Sequence, residues 1–230
     1  MAVIFSEYPR YELLYPEDLF DDLLAGQGQH SLLKLESILA DSVDAIVLFP
    51  ESPGSFAELG AFSNNENLAR KMIVLSNKKF KSKKSFINYG PYRLIKSSKT
   101  GKVININYND LDDKLEKHKV YRKVNDYIAK IKKAHPVKKD VTNILEVENF
   151  ILPCIYLIDE VNNVTLYRLI EEATAHDKIL CEIATKSSLS RLTANRLITR
   201  TPAGYKVTDT GAKHVRNTFQ DQFLNKARIE

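Results

Sequence analysis

The chain has 230 residues and a mass of 26.2 kDa, with 43% hydrophobic and 27% charged residues. This composition excludes disordered and collagen-like proteins and allows one large domain or two small ones. Cys154 and Cys181 lack the spacing of a zinc site or a disulfide framework, which favours the cytoplasm and predicts no metal. No apolar stretch approaches the ~20 residues of a membrane span, so we expect neither an exported nor a membrane-embedded protein.

The net charge of +5 is unevenly distributed. Residues 1–70 are acidic, residues 71–140 contain 20 basic and 6 acidic side chains, and residues 141–230 are neutral. Such a basic block is typical of a solvated surface or linker, and it is also typical of surfaces that bind nucleic-acid phosphates. The candidate phosphate-binding lysines of this block are Lys78, Lys79, Lys81, Lys83 and Lys84.

The N-terminal elements are short. We predict a strand over residues 11–15, followed by a helix that begins at Pro16 with acidic residues in its first turn. Apolar residues at helical spacing then predict a second helix over residues 31–41.

Two continuous apolar runs, at residues 45–49 and 72–75, predict strands that are buried on both faces. A helix over residues 56–70 separates them, a third strand at 103–106 lies at the sheet edge, and an exposed helix covers residues 111–133. Strands that alternate with helices predict an α/β domain with a doubly wound, mainly parallel sheet.

The composition changes after His135-Pro136, where we place a domain boundary. The α/β domain then covers residues 1–137, a basic segment covers residues 78–139, and a second domain covers residues 141–230.

Apolar spacing in the second domain predicts four helices followed by a hairpin. This order is typical of a small α+β winged helix-turn-helix domain. Its recognition helix would be residues 187–196, with Ser188, Arg191 and Asn195 exposed on one side. Winged helices also serve as protein-docking modules, and that alternative stays open. The predicted elements are helices at 144–158, 164–173, 178–184 and 187–198 and strands at 197–200 and 204–207, and the candidate DNA contacts are Arg191, Asn195, Arg196 and Lys206.

The loop after the first apolar run is the candidate site for chemistry, because ligands of doubly wound sheets bind outside the carboxyl ends of the strands. Gly54 allows close approach of a ligand, and Ser55 can cap the following helix. Alternatively, Ser55 and Glu58 form only a capping box, in which Glu58 reaches back to the N-cap amide.

Residues 53–60, Pro-Gly-Ser-Phe-Ala-Glu-Leu-Gly, resemble a motif of nucleoside 2-deoxyribosyltransferase-like proteins. The wider sequence resembles the ribosyltransferase-like effector subunits of bacterial retron anti-phage systems, which also end in a winged helix. The segments that carry this resemblance are residues 15–20, 35–36, 43–44, 51–62 and 84–91.

The resemblance implies chemistry at the anomeric carbon of a nucleoside or nucleotide, with Glu58 as the nucleophile. Glu36 stands where the transferases keep a second acid, although it could instead be a residue of the helix surface. Ser52 occupies the position of an aspartate that protonates the leaving base. Because nicotinamide is already cationic in NAD, this departure favours NAD as the substrate, with no cofactor. The implied substrate-binding residues are Glu51, Ser52, Gly54, Ser55 and Asn88.

The same resemblance implies a toxic effector held in a higher-order assembly with a retron reverse transcriptase and its RNA-linked single-stranded DNA. The DNA would lie on the basic segment or on the winged helix. Two alternatives remain: a catalytically inactive DNA-binding or scaffold subunit, and a nucleoside deoxyribosyltransferase of salvage metabolism.

The N-terminus departs from the family pattern, which begins with a strand and a glycine-rich turn. We expect either that this chain starts in the following helix or that Ala2–Phe5 forms a reduced first strand. A missing strand would favour an inactive or assembly-dependent enzyme.

Overall fold

A computed structural model describes Phe5, residues 10–15 and residues 32–218, except for the side chains of residues 32–35. The described residues fall into two units that divide between Val137 and Lys138. Each unit has its own sheet and its own buried side chains. Within the described ranges, no helix is long and apolar enough to cross a membrane.

The first unit alternates helices with strands, as the apolar runs predict. Short 3-10 turns follow its second and third strands at Lys78–Phe80 and Tyr108–Asp112. The elements in chain order are α1 (Leu32–Ser42), β1 (Ile46–Leu48), α2 (Pro53–Ser63), α3 (Glu66–Ala69), β2 (Met72–Asn77), α4 (Phe86–Tyr89), α5 (Pro91–Ser97), β3 (Lys102–Ile106) and α6 (Lys114–Ala134).

The described sheet of this unit has the strand order β1-β2-β3, and both strand pairs are parallel. Ile46 lies opposite Met72 at one end, and Asn77 lies opposite Ile106 at the other. The predicted α/β class with a parallel sheet is therefore confirmed. The third strand lies at an edge of this three-stranded sheet, also as predicted.

The central strand β2 is buried on both faces. Met72, Ile73, Val74 and Leu75 are all 0% exposed. Because side chains alternate along a strand, Ile73 and Leu75 face one layer and Met72 and Val74 face the other. The first layer is built mainly by α6, with Val120, Tyr121, Val124, Ile128 and Ile131, and the second by α2 and α5, with Leu59, Phe62, Tyr92 and Ile95.

Helix α6 differs from its prediction as an exposed helix. Its apolar residues follow helical spacing, and Val120, Val124, Ile128 and Ile131 form a buried stripe on the sheet. Leu115, which belongs to the same apolar pattern, is 63% exposed. Apart from Lys117, which is 8% exposed, the lysines of α6 are exposed, so the high charge of the segment concealed an amphipathic helix.

The predicted strand at residues 11–15 is wrong, since residues 12–15 have no regular structure. The Tyr11 hydroxyl instead donates to the side-chain oxygen of Asn125 on α6. Phe5 has a helical backbone and packs edge-on against Tyr121, with ring centroids 6.0 Å apart. Residues 2–4 of the alternative first strand, and the helix predicted to begin at Pro16, lie outside the described residues.

The second unit contains helices and a small antiparallel sheet of order β4-β6-β5. The helices predicted at 144–158 and 164–173 and the hairpin strands are confirmed, with small changes in their bounds. The two-residue strand β4 was not predicted. The elements are α7 (Val147–Ile158), β4 (Glu160–Val161), α8 (Asn163–Thr174), α9 (Lys178–Ala194), β5 (Ile198–Arg200), β6 (Tyr205–Val207) and α10 (Asp209–Thr218).

Helix α9 replaces two predicted helices, 178–184 and 187–198. The polar residues between them suggested a break, but the helix is continuous and Thr185, Ser187 and Ser188 are buried within it. The predicted recognition helix is therefore the C-terminal half of a longer helix, and the expectation that Ser188 is exposed is wrong.

Gly211 allows close packing at the start of α10. A Cβ atom at this position would lie 1.9 Å from the Leu197 carbonyl oxygen. The Gly211 N–H donates to the Thr208 hydroxyl, which in turn donates to the same Leu197 carbonyl. Only glycine lets α10 begin this close to the segment between α9 and β5.

The burial of β2 predicts a large effect of truncation. We expect Leu75→Ala to lower the free energy of unfolding by about 2–4 kcal/mol, because it leaves a cavity between two packed layers. Leu115→Ala, which removes the same atoms from an exposed position, should change it by less than about 0.5 kcal/mol. Urea denaturation followed by circular dichroism measures both, and equal shifts for the two variants would contradict the burial of Leu75 in the core.

Candidate active site and nucleic-acid interface

The loop after β1 ends in a helix cap one turn earlier than expected. Ser52 is the N-cap of α2, and its Oγ accepts from the Ser55 amide at 3.2 Å. The Ser55 Oγ accepts from the amides of Glu51 and Ser52, each at 3.0 Å. The capping box therefore consists of Ser52 and Ser55, and the alternative capping box of Ser55 and Glu58 is wrong.

Because the cap involves Ser52 and Ser55, Glu58 lies on the second turn of α2 and is not an N-cap partner. Its side chain is half-buried, next to the fully buried Leu59. Gly54 lies exposed in the first turn of the same helix. The cap thus places the start of α2 after the carboxyl end of a parallel strand, where α/β proteins bind ligands, and Glu58 follows six residues after the N-cap.

Glu36 lies on α1 and is only 8% exposed. Its neighbours on the helix, Leu39 and Ala40, are also buried. The alternative that Glu36 belongs to the helix surface is therefore wrong. Carboxylates are seldom this buried, which keeps Glu36 among the candidate functional residues.

Asn88 holds the lysine-rich loop, residues 78–84 between β2 and α4, in its conformation. Its side-chain amide donates to the Phe80 carbonyl at 3.1 Å and to the Lys83 carbonyl at 2.7 Å. Its backbone N–H donates to Ser85 Oγ, the N-cap of α4, at 3.3 Å. Both amide hydrogens of the predicted substrate-binding residue are thus used to hold the loop.

Aromatic side chains lie among the exposed lysines of this loop. The ammonium groups of Lys79 and Lys83 lie 6.0 and 5.0 Å from the ring centroid of Phe80, which is 47% exposed. Phe86 is 80% exposed, and the guanidinium of Arg93 lies 5.7 Å from the ring of the exposed Tyr89. This mixture of cations and uncovered rings is typical of surfaces that bind single-stranded nucleic acid.

A polar cleft of about 510 Å³ lies at the carboxyl ends of β2 and β3. From the sequence we expected Lys78 and Lys79 to contact nucleic acid and missed the other lining residues, which the strand-end rule could have identified after β3. The residues that line the cleft are Asn77, Lys78, Lys79, Asn107, Asn109 and Asp110.

Tyr108 lies between two of these lining residues and fixes the turn after β3. Its hydroxyl donates to the Leu75 carbonyl at 2.7 Å, and its ring packs beside Phe49 at the end of β1. Burial raises the pKa of the Tyr108 phenol, and the negative charge of Glu51 raises it further. Tyr108 thus stays neutral and connects the ends of all three strands.

The candidate DNA contacts of the second unit differ in their surroundings. The Arg191 guanidinium donates to the Leu145 carbonyl at 3.0 Å and lies 3.3 Å from a Glu148 carboxylate oxygen. Lys206 pairs with Asp159 at 3.2 Å on an exposed surface. Asn195 and Arg196 are exposed at the C-terminal end of α9, where Arg196 has a positive φ of 57°. Arg191 is therefore engaged within the fold, whereas Asn195 and Arg196 face solvent.

The described residues contain no cluster suited to a metal ion. Among them, no group of three or more His, Cys, Asp and Glu side chains is placed to hold an ion. Cys154 and Cys181 are free thiols, and burial raises the pKa of both.

The sequence that folds into these two units is similar to known proteins. The profile of the STM3845 retron effector protein family matches residues 2–200, so the chain belongs to this family. It is 49% identical over its whole length to the Escherichia coli "Retron Ec86 putative ribosyltransferase/DNA-binding protein", of which it covers 77%. A protein of the same description from the E. coli retron Ec73 is 45% identical over 65 residues, covering 28% of this chain and 21% of that protein.

The hydrogen bonds of Asn88 predict a measurable effect on the loop. We expect Asn88→Asp to increase the rate of tryptic cleavage between Lys78 and Lys84 by at least about 5-fold. A carboxylate cannot donate to the two carbonyls, so the loop loses two hydrogen bonds that each stabilise it by about 1 kcal/mol. Asn109→Asp introduces the same charge outside the loop and serves as the control. Unchanged cleavage in Asn88→Asp would contradict a holding role for this residue.

Proposed function

We propose that this retron effector is a toxic N-glycosidase or ribosyltransferase-like enzyme that cleaves the N-glycosidic bond of NAD or a related nucleotide. Membership of the family supports a role in a retron, and the names of the two relatives support transferase-like chemistry. The observation that carries the proposal is the position of Glu58 on the second turn of α2, the helix whose cap follows the carboxyl end of β1.

In the proposed reaction a Glu58 carboxylate oxygen bonds to C1′ of the ribose while the bond from C1′ to nitrogen breaks. The electron pair of the breaking bond neutralises the nicotinamide ring, so this leaving group needs no proton. Water then attacks C1′, releases the Glu58 carboxylate and loses a proton, which leaves ADP-ribose and nicotinamide. Glu36 is the candidate second acid, or a residue that shapes the pocket. Glu51, Ser52, Gly54 and Ser55, at the start of α2, would border the substrate.

Removal of the nucleophile gives the direct test. We expect Glu58→Gln to reduce the release of nicotinamide from NAD by at least about 10³-fold, since the glutamine amide cannot form the glycosyl intermediate. Glu66→Gln removes an exposed carboxylate from the neighbouring helix α3 and should leave the rate within twofold.

The assay uses the full chain with and without its reverse transcriptase and RNA-linked DNA, and chromatography follows NAD and a panel of deoxynucleosides. Nicotinamide release that persists in Glu58→Gln would exclude Glu58 as the nucleophile. Base exchange on deoxynucleosides would shift the substrate to that of a salvage transferase.

We further propose that the second unit is a winged helix that contributes to DNA binding. Its order of one helix, a short strand, two helices and a two-stranded hairpin supports this assignment. The turn between β5 and β6, residues 201–204, would be the wing. Of the predicted contacts, Asn195 and Arg196 have the exposure that binding needs, and Lys206 could exchange its exposed partner Asp159 for a phosphate.

We propose that the lysine-rich loop of the first unit binds the single-stranded DNA that a retron reverse transcriptase makes. Three exposed cations, Lys81, Lys83 and Lys84, accompany the rings of Phe80 and Phe86 on a loop that Asn88 holds in shape. Single strands combine phosphates with unpaired bases, and such bases stack on aromatic side chains.

Salt dependence tests this interface. The triple variant Lys81→Gln/Lys83→Gln/Lys84→Gln should weaken binding of a single-stranded oligonucleotide and reduce the slope of log K against log salt by about 2, because each single-strand phosphate contact contributes about 0.7. The triple variant Lys114→Gln/Lys119→Gln/Lys123→Gln removes three exposed lysines from α6 and is the matched control. Fluorescence anisotropy over a series of salt concentrations measures both, and equal slopes would place the strand elsewhere.

The exposed cations and rings of this loop also favour a second candidate function. A catalytically inactive subunit that binds or scaffolds the retron DNA would need this surface and no nucleophile. Such a protein would show the same salt dependence and no nicotinamide release in any assembly. The Glu58→Gln comparison therefore separates the two candidates.

A further inference from the structure

The polar cleft at the ends of β2 and β3 has the donors that an anionic ligand needs. Asn77 accepts from the Lys79 backbone N–H at 3.0 Å through its side-chain oxygen. Its side-chain NH2 group has no acceptor among residues 32–218. Within the same range, neither the Lys78 nor the Lys79 ammonium has a carboxylate at ion-pair distance. Two cations and an amide donor, from three consecutive residues, thus line the same cleft.

The lining of the cleft also includes a hydrogen-bond acceptor, Asp110. Asp110 accepts from the side-chain amide of Asn107 at 2.8 Å, which holds its carboxylate in place. A carboxylate repels phosphate but accepts hydrogen bonds from hydroxyl groups. The lining therefore favours a ligand that carries both an anionic group and hydroxyls over a purely anionic one.

Tyr108 ties this cleft to the loop that leads into α2. It lies between Asn107 and Asn109 in the chain and packs beside Phe49. The negative charge of Glu51 contributes to the raised pKa of its phenol. The carboxyl ends of parallel strands meet at one sheet edge, where ligands of α/β proteins extend across several strand ends. A ligand in the cleft is thus on the same edge as the helix that carries Glu58.

We propose that this cleft is the phosphate subsite of the substrate pocket, with Lys78 and Lys79 holding a phosphate of a nucleotide and Asp110 accepting from a ribose hydroxyl. The inference rests on the proposed function and names the residues that would bind the phosphate of its nucleotide substrate. It also divides the lysine run: Lys78 and Lys79 serve a small molecule, whereas the lysines from position 81 onward serve the nucleic acid.

Kinetics of the double variant Lys78→Gln/Lys79→Gln test the subsite. With NAD as substrate we expect KM to rise at least about 10-fold while kcat stays within twofold, because charge-assisted hydrogen bonds to phosphate are lost from binding. The KM for nicotinamide riboside, which has no phosphate, should not change. The control Lys114→Gln/Lys123→Gln removes the same charge from exposed positions of α6 and should leave both KM values unchanged. Equal effects on the two substrates would overturn the inference.

Equilibrium binding tests the subsite even where no turnover is found. Calorimetry with adenosine 5′-monophosphate should show at least about 10-fold weaker binding to Lys78→Gln/Lys79→Gln than to the unaltered chain, and adenosine should bind both equally. Inorganic phosphate should compete only at far higher concentration, because it lacks the ribose hydroxyls.

Three outcomes would contradict the assignment. Unchanged binding of the monophosphate would exclude the two lysines from the subsite. Inorganic phosphate that binds as tightly as the nucleotide would make the cleft a site for free phosphate. A double variant that weakens only oligonucleotide binding would assign the cleft to the nucleic-acid surface. Each outcome leaves the role of Glu58 to be decided separately by its own variant.

Discussion

The first unit depends on the burial of one strand, β2, between two helical layers. Met72–Leu75 have no exposure to solvent, so the backbone of β2 finds its hydrogen-bond partners in β1 and β3. Parallel partners require helical crossovers, and those crossovers supply the two layers that bury the strand. The same geometry brings the three carboxyl ends to one edge, where the apolar runs stop and polar residues begin. The core thus determines where chemistry can take place.

The helix cap after β1 shows how a shift of one turn changes the chemistry of a side chain. With Ser52 as the N-cap, Glu58 lies six residues after the cap, about 9 Å from it along the helix axis. With Ser55 as the N-cap, the same carboxylate would be used to satisfy a backbone amide. The sequence fits both arrangements, because Ser52 and Ser55 have the spacing of a capping pair, as do Ser55 and Glu58. In the structure Pro53 occupies the first position of α2, so the residue before it, Ser52, is the N-cap.

The strands β1 and β2 of the first unit were predictable from the sequence, because a short continuous apolar run between polar turn residues is typical of a strand buried on both faces. The strand predicted at residues 11–15 lacks such a run. The second unit was harder, since α9 buries the hydroxyls of Thr185 and Ser188, which have no hydrogen-bond partner among the described residues. Polar residues at such positions usually mark loops, and the sequence therefore suggested two helices. The engagement of Arg191 was also not predictable, because its carbonyl partner, Leu145, lies 46 residues earlier in the chain. Local patterns contain no information about a contact of this range.

The lysines from position 78 to 84 show what the sequence predicts by itself and what only the fold adds. The composition of this run is typical both of a solvated surface and of a surface that binds phosphates, and nothing in the composition distinguishes one lysine from another. The fold makes that distinction, because the 3-10 turn Lys78–Phe80 begins directly at the end of a buried strand. The first lysines of the run remain at the sheet edge, where a small ligand can bind across the strand ends. Beyond Phe80 the chain leaves the sheet, and the two hydrogen bonds of Asn88 hold it in a shape that keeps the later lysines exposed. Neighbouring lysines of one run can therefore bind two different ligands, a nucleotide and a single-stranded DNA, because both ligands carry phosphate groups.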